Sequence, residues 1–161
     1  MSALVHAKSF RDLVVYQKSR MLAQEVFVLT REFPREEMFS LTDQVRRSSR
    51  SVGAQIAEAW AKRRYEKHFV SKLTDADGEQ QETQHWIEIA SDCKYLSRSE
   101  ADALFGRCAE IGRLLGGMMN KAELFCNPDA LTLREEQAPY FVNDTDNQPL
   151  VTDYWSLTTD Y

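Results

Sequence analysis

The feature of this sequence that most limits its fold is the near absence of helix-breaking residues. Between Phe10 and Phe125 the sole proline is Pro34. Proline lacks the N–H that a helix interior needs, and it drives the preceding residue out of the α region. Long helices can therefore run on both sides of a single break at Phe33-Pro34. The sequence predicts an all-α core.

Apolar residues recur at helical spacing in four segments, at about 10–33, 40–62, 66–95 and 98–125. The clearest segment is the last, which follows a capping box made by Ser97 and Glu100. Short connections between long helices favour antiparallel neighbours, so we expect an up-down-up-down four-helix bundle. The apolar positions of the last segment alternate by four and three residues: Leu104, Cys108, Ile111, Leu115, Met118, Ala122 and Phe125.

The third segment carries polar residues within its apolar series. Gln80 and Thr83 fall on the face that we expect to enter the seam. Buried polar groups are almost always hydrogen-bonded or hydrated. We therefore expect a polar layer there, in a subunit core or along a central channel.

Three of the four helical faces are broader than the core of one bundle requires. Large apolar patches are rarely left exposed on soluble monomers, so we expect a homo-oligomer. The alternative is a monomer in which these residues are the edges of a broad core. The residues predicted to form the oligomer interface are Tyr16, Phe27, Trp86, Ile89, Phe105 and Met119.

The net charge of −5 is unevenly distributed along the chain. Residues 127–161 hold seven acidic side chains and one basic one, whereas residues 1–126 hold 18 acidic and 19 basic ones. The sequence thus divides into a helical bundle, 1–126, and an irregular acidic tail, 127–161. The tail also contains Tyr140-Phe141-Val142 and Tyr154-Trp155-Ser156-Leu157, so we expect it to be disordered or docked on a subunit.

Several function classes find no support in the sequence. No apolar run reaches the ~18 residues of a membrane span, and no export signal opens the chain, which makes the cytoplasm the expected location. Three cysteines form neither a disulfide framework nor a paired-thiol metal site. A di-metal bundle site needs two Glu-x-x-His pairs, and only Glu82 with His85 is present. No phosphate-binding loop or catalytic nucleophile motif occurs, so we expect no enzyme, cofactor, metal or small-molecule substrate.

Basic residues cluster on the second segment and at the corner that follows it, interleaved with Trp60 and Tyr65. Such a cluster can follow the phosphates of RNA or DNA. The alternative is a solvated face or a set of ion pairs between subunits. The predicted nucleic-acid contacts are Arg46, Arg47, Arg50, Lys62, Arg63, Arg64 and Lys67.

Five short stretches of the sequence resemble, in their order along the chain, the four-helix-bundle proteins first noticed as products of intervening sequences in 23S rRNA genes. The resemblance covers about residues 8–125. The family that the chain resembles includes the accessory variability proteins of diversity-generating retroelements. The resemblance implies pentameric barrels, and for the retroelement members a positively charged nucleic-acid-binding surface and association with a reverse transcriptase. Carried over, it makes Arg46, Arg47 and Arg50 the first candidates for such contacts, followed by Lys62, Arg63 and Arg64. The five stretches are FRDLVVYQ at 10–17, FPREE at 33–37, LTDQVRRSSRSV at 41–52, IAE at 56–58 and YLS at 95–97.

These observations lead to one functional expectation and two alternatives. The first is a non-enzymatic pentameric scaffold for RNA or for a nucleic-acid enzyme. The second is an assembly module that binds another protein through Tyr154-Trp155 or Trp60, with no nucleic-acid partner. The third is a metal-dependent enzyme that uses Glu82 and His85.

Overall fold

The computed structural model describes residues 7–127, in which no strand occurs. Four long helices pack around one core, so the predicted all-α bundle is confirmed. The predictions for the tail beyond residue 127, including its two aromatic clusters, lie outside the described residues. The helices are α1 (Val14–Leu29), α2 (Asp43–Lys62), α3 (Glu66–Asp92), α4 (Arg98–Asn120) and the short α5 (Ala122–Cys126).

The first predicted segment is interrupted near its start. Ser9 and Asp12 form a capping box, but it caps a single 3-10 turn at Phe10–Asp12. Leu13 then adopts an extended backbone, with φ −72° and ψ 124°, and α1 begins at Val14. The capping signal was correct, yet it marks the turn that leads into α1.

The connection from α1 to α2 is built of short helical turns around Phe33-Pro34. A 3-10 turn lies on each side, at Thr30–Glu32 and Arg35–Glu37, and a π-helical turn at Met38–Thr42 leads into α2. This connection is fixed to the end of α3, because the Tyr95 hydroxyl donates to Oε1 of Glu37 at 3.2 Å.

The last predicted segment, 98–125, is two helices. Lys121 leaves the helical region, with φ −122° and ψ 30°, and separates α4 from α5. The break turns α5 onto the start of α3, where the Phe125 ring stacks on Phe69 with centroids 5.7 Å apart. The apolar alternation continues across the break because both helices bury their apolar side in the same core.

In each neighbouring pair of long helices, residues near the start of one helix contact residues near the end of the other. The α1 residues Tyr16 and Ser19 lie against Gly53 of α2, whereas Thr30, after α1, bonds to Arg46 near the start of α2. This is the order expected for antiparallel neighbours. The pairs α2–α3, α3–α4 and α1–α4 show the same order: Glu58 with Lys72 and Ser48 with Thr83; Met119 with Thr74 and Gly112 with Gln80; Lys18 with Glu110 and Glu25 with Arg107.

The predicted polar layer is present and hydrogen-bonded. The Thr83 hydroxyl is fully buried and lies 2.9 Å from the Ser48 hydroxyl of α2. Gln80, also buried, donates to Asp77 at 3.0 Å and accepts from Gln84 at 2.8 Å. These bonds satisfy polar groups inside the subunit, where an unpaired group would cost about 1–3 kcal/mol.

None of the described helices combines the length and the hydropathy that crossing a bilayer requires.

Candidate binding surface

Two arginines of α2 share one aromatic ring of α1. Arg46 and Arg50 are separated by one helical turn and therefore face the same neighbour. Their guanidinium carbons lie 4.9 and 5.8 Å from the centroid of the Phe27 ring, which is 37% exposed. Both distances are within the range of a cation–π interaction. Among residues 7–127, neither guanidinium has a carboxylate partner in an ion pair.

Arg46 is anchored more firmly than Arg50. Its Nε donates to Oγ1 of Thr30 at 2.7 Å, and the buried Thr30 hydroxyl in turn donates to the carbonyl of Phe27 at 3.2 Å. The bond to Thr30 uses one of the five N–H donors of the Arg46 guanidinium. Arg46 is half-buried, whereas Arg50 is exposed.

Arg47 lies on a different side of α2. Its nearest acidic group is Asp43, with Nη1 and Oδ2 4.0 Å apart. Its charge also acts on Glu79 of α3: burial and the negative charge of Glu82 raise the pKa of Glu79, and Arg47 opposes that rise. The three predicted arginines therefore divide, with Arg46 and Arg50 toward α1 and Arg47 toward α3.

The second predicted cluster surrounds the corner between α2 and α3. Lys62 is paired with Glu58 at 2.7 Å, and the pKa of Glu58 is lowered chiefly by hydrogen bonds from Lys62 and Lys72. Arg63 stacks on the Trp60 ring at 4.0 Å and donates to the Trp60 carbonyl at 2.7 Å.

The other two basic residues of this corner are exposed to solvent. Arg64 lies over Tyr65 at 5.7 Å, and Lys67 is exposed. In the part of the chain that the structure describes, neither has an ion-pair partner. The predicted set thus divides into two patches, with Arg47 apart from both. The first, called the α2 patch, consists of Arg46 and Arg50 on the α1-facing side of α2, and the second lies at the corner after α2.

The first patch borders a groove that the sequence analysis missed. The groove runs between α1 and α2 and has a volume of about 1230 Å³. Its lining includes the small residues Ala23, Gly53, Ala54 and Ala57 and the rings of Tyr16 and Phe27. Small residues on facing helices were the signal that could have revealed it. The charged residues that line it are Arg11, Arg20, Glu25, Arg50 and Arg107.

Gly53, which lines the groove, lies where α2 approaches α1 closely. A Cβ at this position would lie 3.0 Å from Oγ of Ser19 and 3.6 Å from the Tyr16 ring. A side chain at this position would require the Ser19 hydroxyl to shift by a few tenths of an ångström.

The residues predicted to form an oligomer interface occupy two kinds of environment. Phe27 and Ile89 are exposed, whereas the other four are half-buried and pack against the core: Tyr16, Trp86, Phe105 and Met119. The structure adds exposed apolar residues that the sequence did not single out. Phe39 is the most prominent, with 89% of its surface exposed, and Met21, Val28 and Met38 are also exposed.

Both side chains of the Glu82–His85 pair contact Trp86. Oε1 of Glu82 accepts from the Trp86 indole at 3.1 Å, and the His85 ring lies edge-on to it at 4.8 Å. Residues 7–127 contain no group of three or more His, Cys, Asp or Glu side chains that could hold a metal ion. The cysteines are free thiols.

Comparisons with known proteins agree with this fold. Residues 11–117 match the family model of the 23S rRNA-intervening sequence proteins. No match to a curated protein was found. The chain is similar to a crystal structure of a protein of unknown function from the S23 ribosomal protein family of Bacteroides thetaiotaomicron VPI-5482, with 28% identity, coverage of 66% of this chain and 98% of that one, and a TM-score of 0.59. The chain belongs to the 23S rRNA-intervening sequence protein family.

Proposed function

We propose that this protein is a non-enzymatic, homo-oligomeric scaffold that binds the phosphate backbone of a nucleic acid through α2. The observation that carries the proposal is the pair of guanidinium groups of Arg46 and Arg50 on the Phe27 ring. A structural ion pair would require a carboxylate near them, and among the described residues no ion pair includes either one.

The geometry suits a phosphate ligand. The Thr30 bond and the Phe27 ring hold the Arg46 guanidinium in place, which lowers the entropy lost when a ligand binds. Arginine presents its N–H groups as a planar fork that matches two phosphate oxygens. Arg50, one turn along α2, adds a second fork about 6 Å further along the helix axis.

Repetition of the surface in an oligomer would strengthen binding. The exposed apolar side chains Phe39, Met38 and Ile89 support subunit association, and the family resemblance implies five subunits. Each copy would then present the same α2 patch to one nucleic-acid molecule, and linked weak contacts raise the overall affinity. Light scattering should give a mass of five times 18.6 kDa.

The binding test uses a fluorescently labelled single-stranded RNA of about 20 nucleotides and the full-length chain. We expect log K to fall linearly with log salt, with a slope of about −0.7 for each phosphate contact on a single strand. Arg50→Gln should weaken binding and reduce the slope. Arg113→Gln is the matched control, because Arg113 is an exposed arginine of α4 outside both predicted patches. Equal RNA affinities of the two variants would contradict phosphate binding by the α2 patch.

The same titration distinguishes the alternative of an assembly module for another protein. Docking through Trp60 or Tyr154-Trp155 would depend on apolar burial and would change little between about 50 and 200 mM salt. A partner that is itself a nucleic-acid enzyme, such as a reverse transcriptase, would be compatible with either mode of binding.

A further inference from the structure

We propose that the α1–α2 groove is the docking site of this chain's own acidic segment, residues 128–161. The first argument is charge. Glu25, the one acidic residue that lines the groove, accepts a hydrogen bond from Arg107. Arg11, Arg20 and Arg50 remain without an ion-pair partner among residues 7–127. A nearly neutral bundle thus concentrates uncompensated positive charge beside one groove, and the segment that follows it carries six more acidic than basic residues.

The second argument is the pairing of aromatic and charged groups. The groove is lined by the rings of Tyr16 and Phe27, by arginines and by small residues. The acidic segment places aromatic residues next to carboxylates, as in Asp153-Tyr154-Trp155 and in Tyr140-Phe141 before Asp144. The small alanine and glycine residues of the lining leave room for flat rings, and the arginines can pair with the adjoining carboxylates.

The third argument is reach. The described chain ends beyond α5, which packs on Phe69 at the start of α3. The start of α1 lies at this same end of the bundle, because Tyr16 contacts Gly53 in the second half of α2. Tyr140 follows Asn127 by 13 residues, and 13 extended residues span at most about 45 Å. The whole of α1 is about 24 Å long, so the first aromatic cluster can enter the groove of its own subunit.

Docking in this position would cover Arg50. The acidic segment would then compete with nucleic acid for the α2 patch, and this consequence rests on the proposed function. Docking would also cover the groove-lining residues Tyr16, Phe27 and Val28. Subunit contacts in this arrangement would therefore form through exposed side chains outside the groove, such as Phe39 and Ile89.

The docking test follows Trp155 by fluorine NMR in the full chain labelled with 5-fluorotryptophan. Trp155→Phe assigns its resonance, and the resonances of Trp60 and Trp86 report that the bundle is folded. Ala54→Glu places a negative charge in the groove, whereas Ala109→Glu makes the same change at an exposed position of α4 outside the groove. We expect the Trp155 resonance to move to the position of free tryptophan in Ala54→Glu and to stay unchanged in Ala109→Glu and on dilution.

Three results of this test would overturn the proposal. The first is a Trp155 resonance at the free position in the parent chain. The second is a Trp155 resonance that Ala54→Glu leaves unchanged. The third is a change of oligomer mass in Ala54→Glu with no change at Trp155, which would assign the groove to a second copy of the chain.

A second variant tests competition without altering the bundle. Replacing Asp144, Asp146 and Asp153 by asparagine should raise the affinity for the labelled RNA about three- to tenfold, because it removes charges that hold the segment on Arg50. An unchanged RNA affinity would overturn the competition. If the parent and the variant both fail to bind RNA, the proposed function fails, while the Trp155 measurement still decides the docking.

Discussion

Arg46 of α2 donates its Nε to the hydroxyl of Thr30, 2.7 Å away in the turn that follows α1. This bond fixes the relative position of α1 and α2 at one end of their contact. It also means that one predicted nucleic-acid contact has a structural role, whereas Arg47 and Arg50 make no comparable bond. The two roles of Arg46 can be separated by measuring stability and RNA affinity on the same variants.

Arg46→Gln should lower the free energy of unfolding by about 1–3 kcal/mol, because the buried Thr30 hydroxyl loses its donor. Arg47→Gln, at an exposed position, should change it by less than about 0.5 kcal/mol. Urea unfolding at one fixed protein concentration measures both, since oligomer stability depends on concentration. Equal losses in the two variants would contradict the anchoring role of Arg46.

Lys94 is the residue with positive φ at the end of α3, with φ 61°. The Tyr95 N–H donates to the Ala90 carbonyl across it, which is the helix-ending arrangement in which glycine is usual. Lys94→Gly should therefore raise the free energy of unfolding by about 0.5–1 kcal/mol. Lys94→Ala is the control, because alanine keeps the backbone penalty and should give no gain. A gain from alanine as large as that from glycine would show that loss of the lysine side chain, and not backbone relief, is responsible.

Two glycines of the α3–α4 pair should respond differently to alanine. A Cβ at Gly78 would meet nothing within 4 Å, whereas one at Gly112 would lie 3.1 Å from Nε2 of Gln80. Gly78→Ala should raise the free energy of unfolding by about 0.8–1 kcal/mol through helix propensity alone. Gly112→Ala should gain less, because the hydrogen-bonded Gln80 must shift. Thermal unfolding of both variants checks the order, and a larger gain at Gly112 would contradict it.

Glu79 should make stability depend on pH. Burial first, and then the charges of Glu82 and Asp75, raise its pKa above the ordinary value of 4.5, and Arg47 opposes them. A raised folded-state pKa means that the folded chain binds more protons, so stability falls as pH rises from about 4.5 through that pKa. Glu79→Gln should be more stable than the parent at pH 7, with the difference vanishing below about pH 4. A difference independent of pH would contradict this assignment.

The thiols should differ in reactivity. Cys108 is fully buried in α4, and burial raises its pKa to about 12, whereas Cys93 is exposed. Because the thiolate is the reactive form, a disulfide reagent at pH 8 should modify Cys93 rapidly and Cys108 only after denaturation. Cys93→Ser should remove the fast phase. Fast labelling of Cys108 in the folded protein would show that α4 opens.

The sequence by itself determined which helices form and which faces they bury. Every apolar position predicted for the last segment is buried in α4 or α5, and the polar Gln80 and Thr83 of α3 are buried as well. Helical periodicity is a local property, so it can be found without knowing which helices are neighbours. Breaks such as those at Leu13 and Lys121 were missed, because the apolar spacing continues across them while the backbone turns.

Only the tertiary structure decided how the basic residues group. Arg46 and Arg47 are adjacent in sequence, yet one bonds to Thr30 after α1 and the other faces the acidic side chains of α3. The α1–α2 groove is lined by residues far apart in the chain, such as Ser19 of α1 and Gly53 of α2, which packing brings close together. A helix fixes the angle between its own residues, but which neighbour each side chain meets depends on how the helices pack.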